Sequence, residues 1–581
     1  MELAELGHRI VTIVTLCLLN GQDYENRPYV LQELRKCPEM VDFVVLPHMP
    51  FLSFDTDRAA RDLRRFSDFA RQRQCYLALS MTEHDGDDTY FTAVLFDRKG
   101  NMAGRYRKAH ALADDVTGPE QPIAIGDELP VFETDFGIIG MTVGTDFYMP
   151  EVYEVIRMKG ADIITWHHYP ERLRDHCTWE PLLMARCVDS HAHMVTAMYS
   201  HERTYLTNDY SQRRAGSPWG RSMILNRVGT PVADTGYEDG LAVATVNLDR
   251  RKVDDGVDFR RENIFIVSHF GDRKALSPVA EPYQKPELPA YDKRTCRLAI
   301  GHLPLEDIWR DGQVPEAMLQ LLDDAAAVKP DLLLFSEQSC NAEDETTARV
   351  MDMVAEKARE LDCYIAIGGI GNYGHSSVCH VWDRSGEIVY AQPIYWTQGF
   401  DELEVFDTDF GRVGSHTCGD LFTPLFDRVL ALKGAEIVID PSQMWGPNGR
   451  LNEAMLRSRA ADNGVWVACA HWGKSDPALR SVIIDPYGQV VAASQYGKAD
   501  LVVYDINLDD QRAYYAEVAP PRGDETVDLS WWPAVVPQRL PGWQEMVFAA
   551  RRPELYGIIP TVNEVLLRYR PEKSPYAPTE E

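Results

Sequence analysis

The chain has 581 residues, 45% of them hydrophobic and 25% charged, which is typical of an ordinary soluble globular protein. That length is too great for one compact hydrophobic core, so it predicts two large domains. The formal net charge is −30 and no basic run offsets it, which argues against a nucleic-acid partner.

The first half of the chain alternates β-branched runs with a helical pattern. The apolar run 10–19 is too short to span a bilayer and lacks the flanks of a secretory signal, so it predicts a buried strand. Residues 55–74 predict an amphipathic helix because their apolar side chains recur at helical spacing. Further strands are predicted at 43–46, 76–81 and 91–96.

The second half repeats the same order of elements. A strand is predicted at 332–335, a helix at 344–361, and two more strands at 364–368 and 378–382. Strands separated by helices, with turn-bounded antiparallel pairs, indicate a layered α/β domain in each half.

An internal repeat decides the architecture. Two pairs of segments match at a constant offset of 274 residues, namely Glu133-Thr-Asp-Phe-Gly137 with Asp407-Thr-Asp-Phe-Gly411 and Met158-Lys-Gly-Ala-Asp-Ile-Ile164 with Leu432-Lys-Gly-Ala-Glu-Ile-Val438. Further upstream, residues 42–48 match residues 331–337 at an offset of 289. The chain is therefore a tandem duplication of one α/β unit.

The repeat sets the predicted domain limits. The first unit spans 1–275 and the second 295–581, joined by a proline-rich linker at 276–294. The stretch after about residue 511 is rich in proline and tryptophan, and we expect it to pack on the surface as a C-terminal arm.

The eleven cysteines are scattered along the chain and odd in number. No CxxC pair and no Cys/His cluster has the spacing of zinc ligands. We therefore expect no metal site and reduced thiols in a cytoplasmic protein.

Cys418 stands out among these cysteines by its position. It follows a β-prone run at 412–417 and precedes an apolar helical pattern at 424–433. A thiol at a strand-to-helix turn can project into a cleft, where helix N-terminal amides favour a thiolate and a developing oxyanion. A buried structural cysteine is the alternative interpretation.

With these residues in view, both halves resemble the nitrilase (carbon–nitrogen hydrolase) superfamily over most of their length. The resemblance implies an αββα sandwich that hydrolyses amides or nitriles with a Glu–Lys–Cys triad and no cofactor. It places the glutamate after a strand like 332–335, the lysine in a Tyr-Arg-Lys element and the cysteine in a Gly-x-x-x-Cys-x-Asp turn. In such a triad the carboxylate takes the thiol proton and the ammonium lowers the thiol pKa.

The second unit matches two of the three catalytic positions. Glu337 matches the general base and Cys418 the nucleophile. The lysine position lies eight residues beyond a turn glycine, and in the second unit it is occupied by Ile394. Four groups are candidates for oxyanion support instead: the amide of Gly419 and the side chains of His416, His471 and Lys474.

Two further assignments stay open from the sequence. His416 shares the face of Cys418 in an ideal extended run, but a lone strand histidine is also typical of a hydrogen-bonded core residue. Glu402 lies where many family members place a second glutamate that supports the lysine, which this unit lacks.

The first unit keeps only the lysine of the triad. Lys108 remains in Tyr106-Arg-Lys108, while His48 replaces the glutamate and Gly144 replaces the cysteine. Without a thiol, this unit cannot carry out the chemistry by this mechanism.

The sequence thus predicts two tandem αββα-sandwich domains that form an intrachain pseudo-dimer through the helices at 150–159 and 424–433. The predicted activity is hydrolysis of a small-molecule amide or nitrile through a cysteine intermediate in the second unit. A non-catalytic binding or scaffold protein and an acyl transferase are the alternatives. We expect no membrane partner, and homo-oligomerisation is a further expectation from the resemblance.

Overall fold

The computed structural model describes most of the chain. The described residues are 9–18, 27–49, 52, 57–111, 123–168, 179–199, 221–236, 238–248, 273–304, 316–337, 344–369, 378–394, 402–443, 449–473, 480–495, 497–509 and 543–561. Nine of the eleven cysteines fall in these ranges, and each of the nine is free of a disulfide. Within the same ranges, no helix combines the length and the apolar character needed to cross a bilayer.

The first unit contains a six-stranded sheet in the order β12-β1-β2-β3-β4-β5. Its strands are β1 (Ile10–Cys17), β2 (Phe43–Met49), β3 (Tyr76–Asp85), β4 (Asp88–Phe96), β5 (Met102–Arg107) and β12 (Gly240–Asn247). Side chains alternate along β1, so Val11 and Ile13 face the interior between two sheets. Val14 and Leu16 face the opposite way, toward the helices α1 (Arg27–Leu34) and α2 (Asp57–Arg73).

A second six-stranded sheet packs on the inner face of the first. Its strands, in the order β11-β10-β9-β8-β7-β6, are β11 (Pro231–Asp234), β10 (Met223–Leu225), β9 (His193–Ala197), β8 (Ile163–His167), β7 (Ile138–Val143) and β6 (Val131–Glu133). Helices α3 (Pro150–Met158) and α4 (Trp179–Ser190) cover its outer face. The first unit is therefore an αββα sandwich.

The second unit repeats this arrangement. The strands of its first sheet are β13 (Thr295–Pro304), β14 (Leu332–Glu337), β15 (Tyr364–Gly368), β16 (Val378–Trp382), β17 (Ile388–Pro393) and β24 (Asp500–Asn507). Those of its second sheet are β18 (Val405–Asp407), β19 (Arg412–Ser415), β20 (Ile437–Ser442), β21 (Trp466–Gly473), β22 (Val482–Ile484) and β23 (Val490–Ala493). The ends of β13 and β21 pair in parallel and join the two sheets.

Four helices complete the second sandwich. Helices α5 (Glu316–Val328) and α6 (Asp344–Leu361) pack on its first sheet. Helices α7 (Pro424–Leu432) and α8 (Gly449–Asn463) cover the second sheet. The predicted strands and helices of both units are confirmed, and the predicted strand at 332–335 extends by two residues to end on Glu337.

The two units pack through their helices as an intrachain pseudo-dimer. The predicted contact between α3 and α7 is present, with Glu151 Oε1 3.0 Å from Arg428 Nε. The prediction omitted a second pair, since α4 also packs against α8. One hydrophobic core runs from the interior of the first sandwich through these helices, because Val152 and Leu182 belong to the same cluster as Leu425 and Met455.

The segment between the units and the C-terminal segment both cross this interface. A 3₁₀ helix at Arg273–Ala280 packs against α7. Helix α9 (Trp543–Ala549) packs against α8, and Arg551 beyond it donates to Glu151 of the first unit at 2.9 Å. Residues 510–542 of the expected arm lie outside the described residues, and the domain limits at 275 and 295 stay a prediction.

Candidate active site

Cys418 begins the tight turn that leads from β19 into α7. This 3₁₀ turn spans Cys418–Phe422, and Cys418 itself has a φ of +50°. A non-glycine residue in that region is uncommon and strained, so the surrounding bonds must hold it there. Two backbone N–H groups do so: that of Cys418 donates to Asp440 Oδ1 at 3.0 Å, and that of Thr423 to the Asp420 carbonyl at 2.9 Å.

The turn brings the thiol to the end of β14. The Cys418 thiol donates a hydrogen bond to the carboxylate of Glu337, the last and largely buried residue of that strand. The backbone N–H of Gln443 donates to the sulfur from the end of β20. Burial raises the pKa of the Cys418 thiol well above its usual range, and the Glu337 charge raises it further. The thiol is therefore protonated at neutral pH and lies beside a base.

The strand registers locate the position of the predicted lysine. In the first unit Phe96 pairs with Met102, and in the second Trp382 pairs with Ile388. Ile394 therefore follows β17 as Lys108 follows β5, and it is buried. An apolar side chain thus stands in the second unit at the position that corresponds to Lys108.

His416 lies in a buried group of charges below the turn. Its Nδ1 is 3.1 Å from Asp427 and its Nε2 is 3.5 Å from Asp440, and all three side chains are fully buried. Burial alone lowers the pKa of an imidazole, but the two carboxylates outweigh it and raise the pKa of His416 well above its usual range. Both ring nitrogens thus face carboxylates, and the ring connects to Cys418 through Asp440.

Asp440 and Gln443 are site residues that the sequence interpretation missed. Asp440 interrupts the apolar strand sequence Ile437-Val-Ile-Asp440, and a carboxylate in a buried strand was the available signal. Gln443 acts through its backbone, for which the sequence carries no signal.

The other predicted supporting residues have different surroundings. Gly419 is buried within the turn. His471 is buried on β21, and its backbone N–H donates to Ser481 Oγ, which also lies 2.9 Å from His302 Nδ1. The side chain of Glu402 is exposed. Roles for these residues stay predictions, and Lys474 lies outside the described residues.

The corresponding place in the first unit holds a different set of side chains. Gly144 begins the turn Gly144–Tyr148 with a φ of +51°, close to that of Cys418. Lys108 is fully buried, with Nζ 5.6 Å from the centre of the Phe91 ring. Burial, and next the Lys108 charge, lower the pKa of His48 to about 3. The first unit thus has the same backbone turn, with a glycine where the second unit has a cysteine.

The residues that support the turn also differ between the units. Asp440 is replaced in the first unit by Trp166, whose Nε1–H donates to the Gly144 carbonyl at 2.9 Å. His416 and Asp427 are replaced by Thr142 and Tyr153, whose hydroxyls lie 3.3 Å apart. The group formed by His416, Asp427 and Asp440 therefore has no charged counterpart at the matching positions of the first unit.

Several known proteins are similar to part of this chain. A deaminated glutathione amidase of Dictyostelium discoideum is 26% identical over 227 residues, 37% of this chain and 72% of the relative. Omega-amidase NIT2 of Homo sapiens is 22% identical over 191 residues, 32% of this chain and 66% of the relative. The crystal structure of a carbon–nitrogen hydrolase from Helicobacter pylori G27 aligns with a TM-score of 0.35 and 19% identity, covering 42% of this chain and 91% of that one.

The family model described as carbon–nitrogen hydrolase matches the chain twice. The matched residues are 32–254 and 314–516, one region in each unit and together well over half of the chain. The protein therefore belongs to the carbon–nitrogen hydrolase family, whose unit it carries in tandem.

Proposed function

We propose that the second unit hydrolyses the carbon–nitrogen bond of a small amide through a thioester on Cys418. The observation that carries the proposal is the hydrogen bond from the Cys418 thiol to Glu337, made at a turn whose backbone is held at a positive φ. A nucleophile next to a base at such a turn is the arrangement that covalent catalysis requires. The relatives reported above carry the names of amidases, which favours an amide over a nitrile.

The groups present account for each proton of the proposed reaction. Glu337 takes the thiol proton as the Cys418 sulfur attacks the carbonyl carbon. The tetrahedral intermediate then expels the nitrogen, which leaves as ammonia or an amine with the proton from Glu337. Water, deprotonated by Glu337, attacks the thioester, and the carbon–sulfur bond breaks. Glu337 returns the proton to the leaving sulfur, which releases the acid and restores the Cys418 thiol. A nitrile substrate would form a thioimidate at the same sulfur.

The raised pKa of the Cys418 thiol determines when its proton is transferred. Because Ile394 occupies the lysine position, proton transfer to Glu337 accompanies the attack and no stored thiolate precedes it. We assign oxyanion support to backbone N–H groups, of which that of Gly419 follows the nucleophile directly. His416 then acts on the turn through Asp440 and makes no contact with substrate in this proposal.

The first unit acts as a scaffold in this proposal. Gly144 supplies no nucleophile, and the buried interface between the helices ties this unit to the second turn. A non-catalytic binding protein and an acyl transferase are the competing functions.

The test is mass spectrometry of the whole protein incubated with panels of small amides and nitriles. We expect an acyl adduct on Cys418 that clears in water, with loss of turnover in Cys418→Ala and Glu337→Gln. Cys296→Ala is the control cysteine substitution, because Cys296 is buried at the start of β13 and does not belong to the turn that begins at Cys418. An adduct that clears only when an amine is added indicates an acyl transferase. Absence of any adduct, with substrate binding unchanged in Cys418→Ala, indicates the binding protein and overturns the proposal.

A further inference from the structure

Two buried arginines connect the turns of the two units across their interface. Arg459 of α8 donates from Nε and Nη2 to the Leu421 carbonyl, at 3.2 and 2.7 Å. The same guanidinium pairs in a bidentate way with Asp189 of α4 in the first unit, at 2.9 and 2.7 Å. Leu421 belongs to the turn that begins at Cys418, so a carboxylate of the first unit reaches that turn through one side chain.

A second arrangement of the same kind holds the other turn, with the roles of the two units exchanged. Arg186 of α4 donates from Nε and Nη2 to the Phe147 carbonyl, both at 3.0 Å, and pairs with Asp462 of α8 at 2.9 Å. Phe147 belongs to the turn that begins at Gly144. We call these the Asp189 clamp (Asp189, Arg459, Leu421) and the Asp462 clamp (Asp462, Arg186, Phe147).

We propose that Asp189, supplied by the unit that lacks a nucleophile, is a positioning residue for Cys418. This inference rests on the proposed function of the second unit. Its basis is that the Asp189 clamp fixes the carbonyl of a turn whose first residue is held at a φ of +50°. The Asp462 clamp fixes a turn without a thiol and has no comparable consequence.

The guanidinium of Arg459 is enclosed by the protein and has few alternative partners. Arg459 is fully buried, and Asp189 is 3% exposed. A bidentate carboxylate both neutralises the arginine and fixes its plane, and this fixed plane lets two of its N–H groups meet one carbonyl oxygen. If Asp189 loses its charge, Arg459 remains buried without full compensation and must reorient or admit water.

Reorientation of Arg459 releases the Leu421 carbonyl and loosens the Cys418 turn. The strained φ of Cys418 then relaxes, which moves the sulfur away from Glu337. A displacement of about 1 Å at a reacting atom can reduce a rate by roughly 100-fold. The first unit therefore has a specific role in the reaction, namely to position the nucleophile of the second unit.

The experiment compares Asp189→Asn with Asp462→Asn in the full chain. Both substitutions replace a buried aspartate by its isostere at the same interface, but only Asp189 pairs with the arginine that bonds the turn holding the thiol. We expect Asp189→Asn to lower kcat by about 10- to 100-fold with little change in KM, and Asp462→Asn to change kcat by less than about threefold. The alkylation rate of Cys418 by iodoacetamide, followed by mass spectrometry, should show the same contrast.

Stability must be measured for both variants because the two clamps adjoin. Arg186 Nη1 lies 3.7 Å from Asp189, and Ser458 Oγ gives Asp462 an additional hydrogen bond at 2.9 Å. Rates are therefore compared at a temperature at which both variants are fully folded. Should Asp189→Asn fail to fold, Asp189→Glu and Asp462→Glu keep the charge while displacing it, and the same contrast in kcat is expected.

Equal losses of kcat in the two members of a pair would show that the clamps only stabilise the interface, and would overturn the inference. The result is separable from the proposed function. If Cys418→Ala leaves turnover intact, the proposed function fails. The alkylation rates of Cys418 in the paired variants still decide whether Asp189 positions the thiol.

Discussion

The thiol of Cys418 combines a suitable base with an unfavourable charge environment. Glu337 accepts its hydrogen bond, yet burial and the Glu337 charge both raise the pKa of the thiol. Asp440, which accepts the Cys418 N–H, adds to this effect. The site is therefore arranged for proton transfer from Cys418 to Glu337 during attack, and a stable thiolate is disfavoured.

Replacing Ile394 by lysine tests this account of the thiol. Lys108 lies beside His48 in the first unit, so Ile394→Lys should place an ammonium near Glu337 and Cys418. A nearby cation stabilises the thiolate, and we therefore expect the pKa of Cys418 to fall. The measurement is the pH dependence of Cys418 alkylation, whose midpoint should move to lower pH.

The control for this variant is Ile394→Met, which changes the side chain without adding charge. Its alkylation midpoint should match that of the wild-type chain. An unchanged midpoint in a folded Ile394→Lys variant would show that the position is too far from the sulfur to act on it.

The turn that begins at Cys418 is the element on which the site depends. Cys418 and Gly144 adopt nearly the same positive φ, +50° and +51°. For glycine that conformation carries no steric penalty, whereas a residue with a Cβ is strained there by about 1 kcal/mol. The first unit therefore holds the relaxed form of the turn and the second unit the strained form.

This difference predicts an unusual order of stability among substitutions. We expect Cys418→Gly to be more stable than Cys418→Ala by about 1 kcal/mol, because glycine removes the strain that alanine retains. In the first unit the native residue is already glycine, so Gly144→Ala introduces the strain. It should lower the free energy of unfolding by a similar amount or more. Urea unfolding of the three variants provides the comparison. If Cys418→Ala proved the more stable of the pair, the positive φ would not be a source of strain.

The limits of helices and strands can be predicted where local sequence features mark their ends, whereas the packing of one element on another has no local marker. Helix Asp344–Leu361 and strand Val378–Trp382 match their predicted limits, because helical spacing and turn residues mark both ends. The pairing of α4 with α8 was missed although its charged residues repeat, as Arg186-Cys-Val-Asp189 and Arg459-Ala-Ala-Asp462. The repeated Arg and Asp indicate a shared role in the two units, but nothing local in the sequence identifies the residues that they contact.

The candidate site likewise depends on contacts between residues that are distant in the sequence. Glu337 and Cys418 are far apart in sequence, and their meeting was predicted only through the resemblance to a family. The carboxylates around His416 come from a helix and a neighbouring strand, so they depend on packing that one sequence segment does not specify.

At the scale of the whole molecule, the two units depend on each other through buried charges. Glu151 of the first unit is fully buried and pairs with Arg428 of α7 and with Arg551 of the C-terminal segment. Burial raises the pKa of this carboxyl, but the two arginines outweigh it, so its pKa is lowered overall. Three distant parts of the chain thus meet at one carboxylate, and the interface and the C-terminal segment are one structural unit.

The pH dependence of stability is a second property of the whole molecule. Burial is the main cause that lowers the pKa of three histidines, to about 3 for His48 and to about 4 for His167 and His302. The unfolded chain binds protons at these residues below about pH 6.5, whereas the folded chain does not until the pH is much lower. The free energy of unfolding should therefore fall as the pH drops below 6.5, by about 2 kcal/mol per histidine at pH 5.

The pKa of His416 is shifted in the opposite direction, so this residue does not add to the loss of stability below pH 6.5. Its pKa is raised in the folded chain, and the stability that it contributes is fully present below pH 6.5. Glu151, whose pKa is lowered, loses its contribution only as the pH falls below about 4.5. Between pH 6.5 and 5 the acid sensitivity therefore comes from these histidines together with His380, whose pKa burial also lowers, while Glu151 keeps its contribution.

His48→Gln tests the contribution of one of them. Glutamine can keep a hydrogen bond to Ser80, which lies 2.8 Å from His48 Nδ1, but cannot take up a proton. We expect urea unfolding midpoints of this variant to fall less between pH 6.5 and 5 than those of the wild-type chain, by the equivalent of about 2 kcal/mol. His84→Gln is the control, because the His84 ring is exposed and charging it does not place a charge in the interior. An equal fall in His48→Gln and the wild-type chain would mean that the acid sensitivity arises elsewhere than in the interior of the first unit.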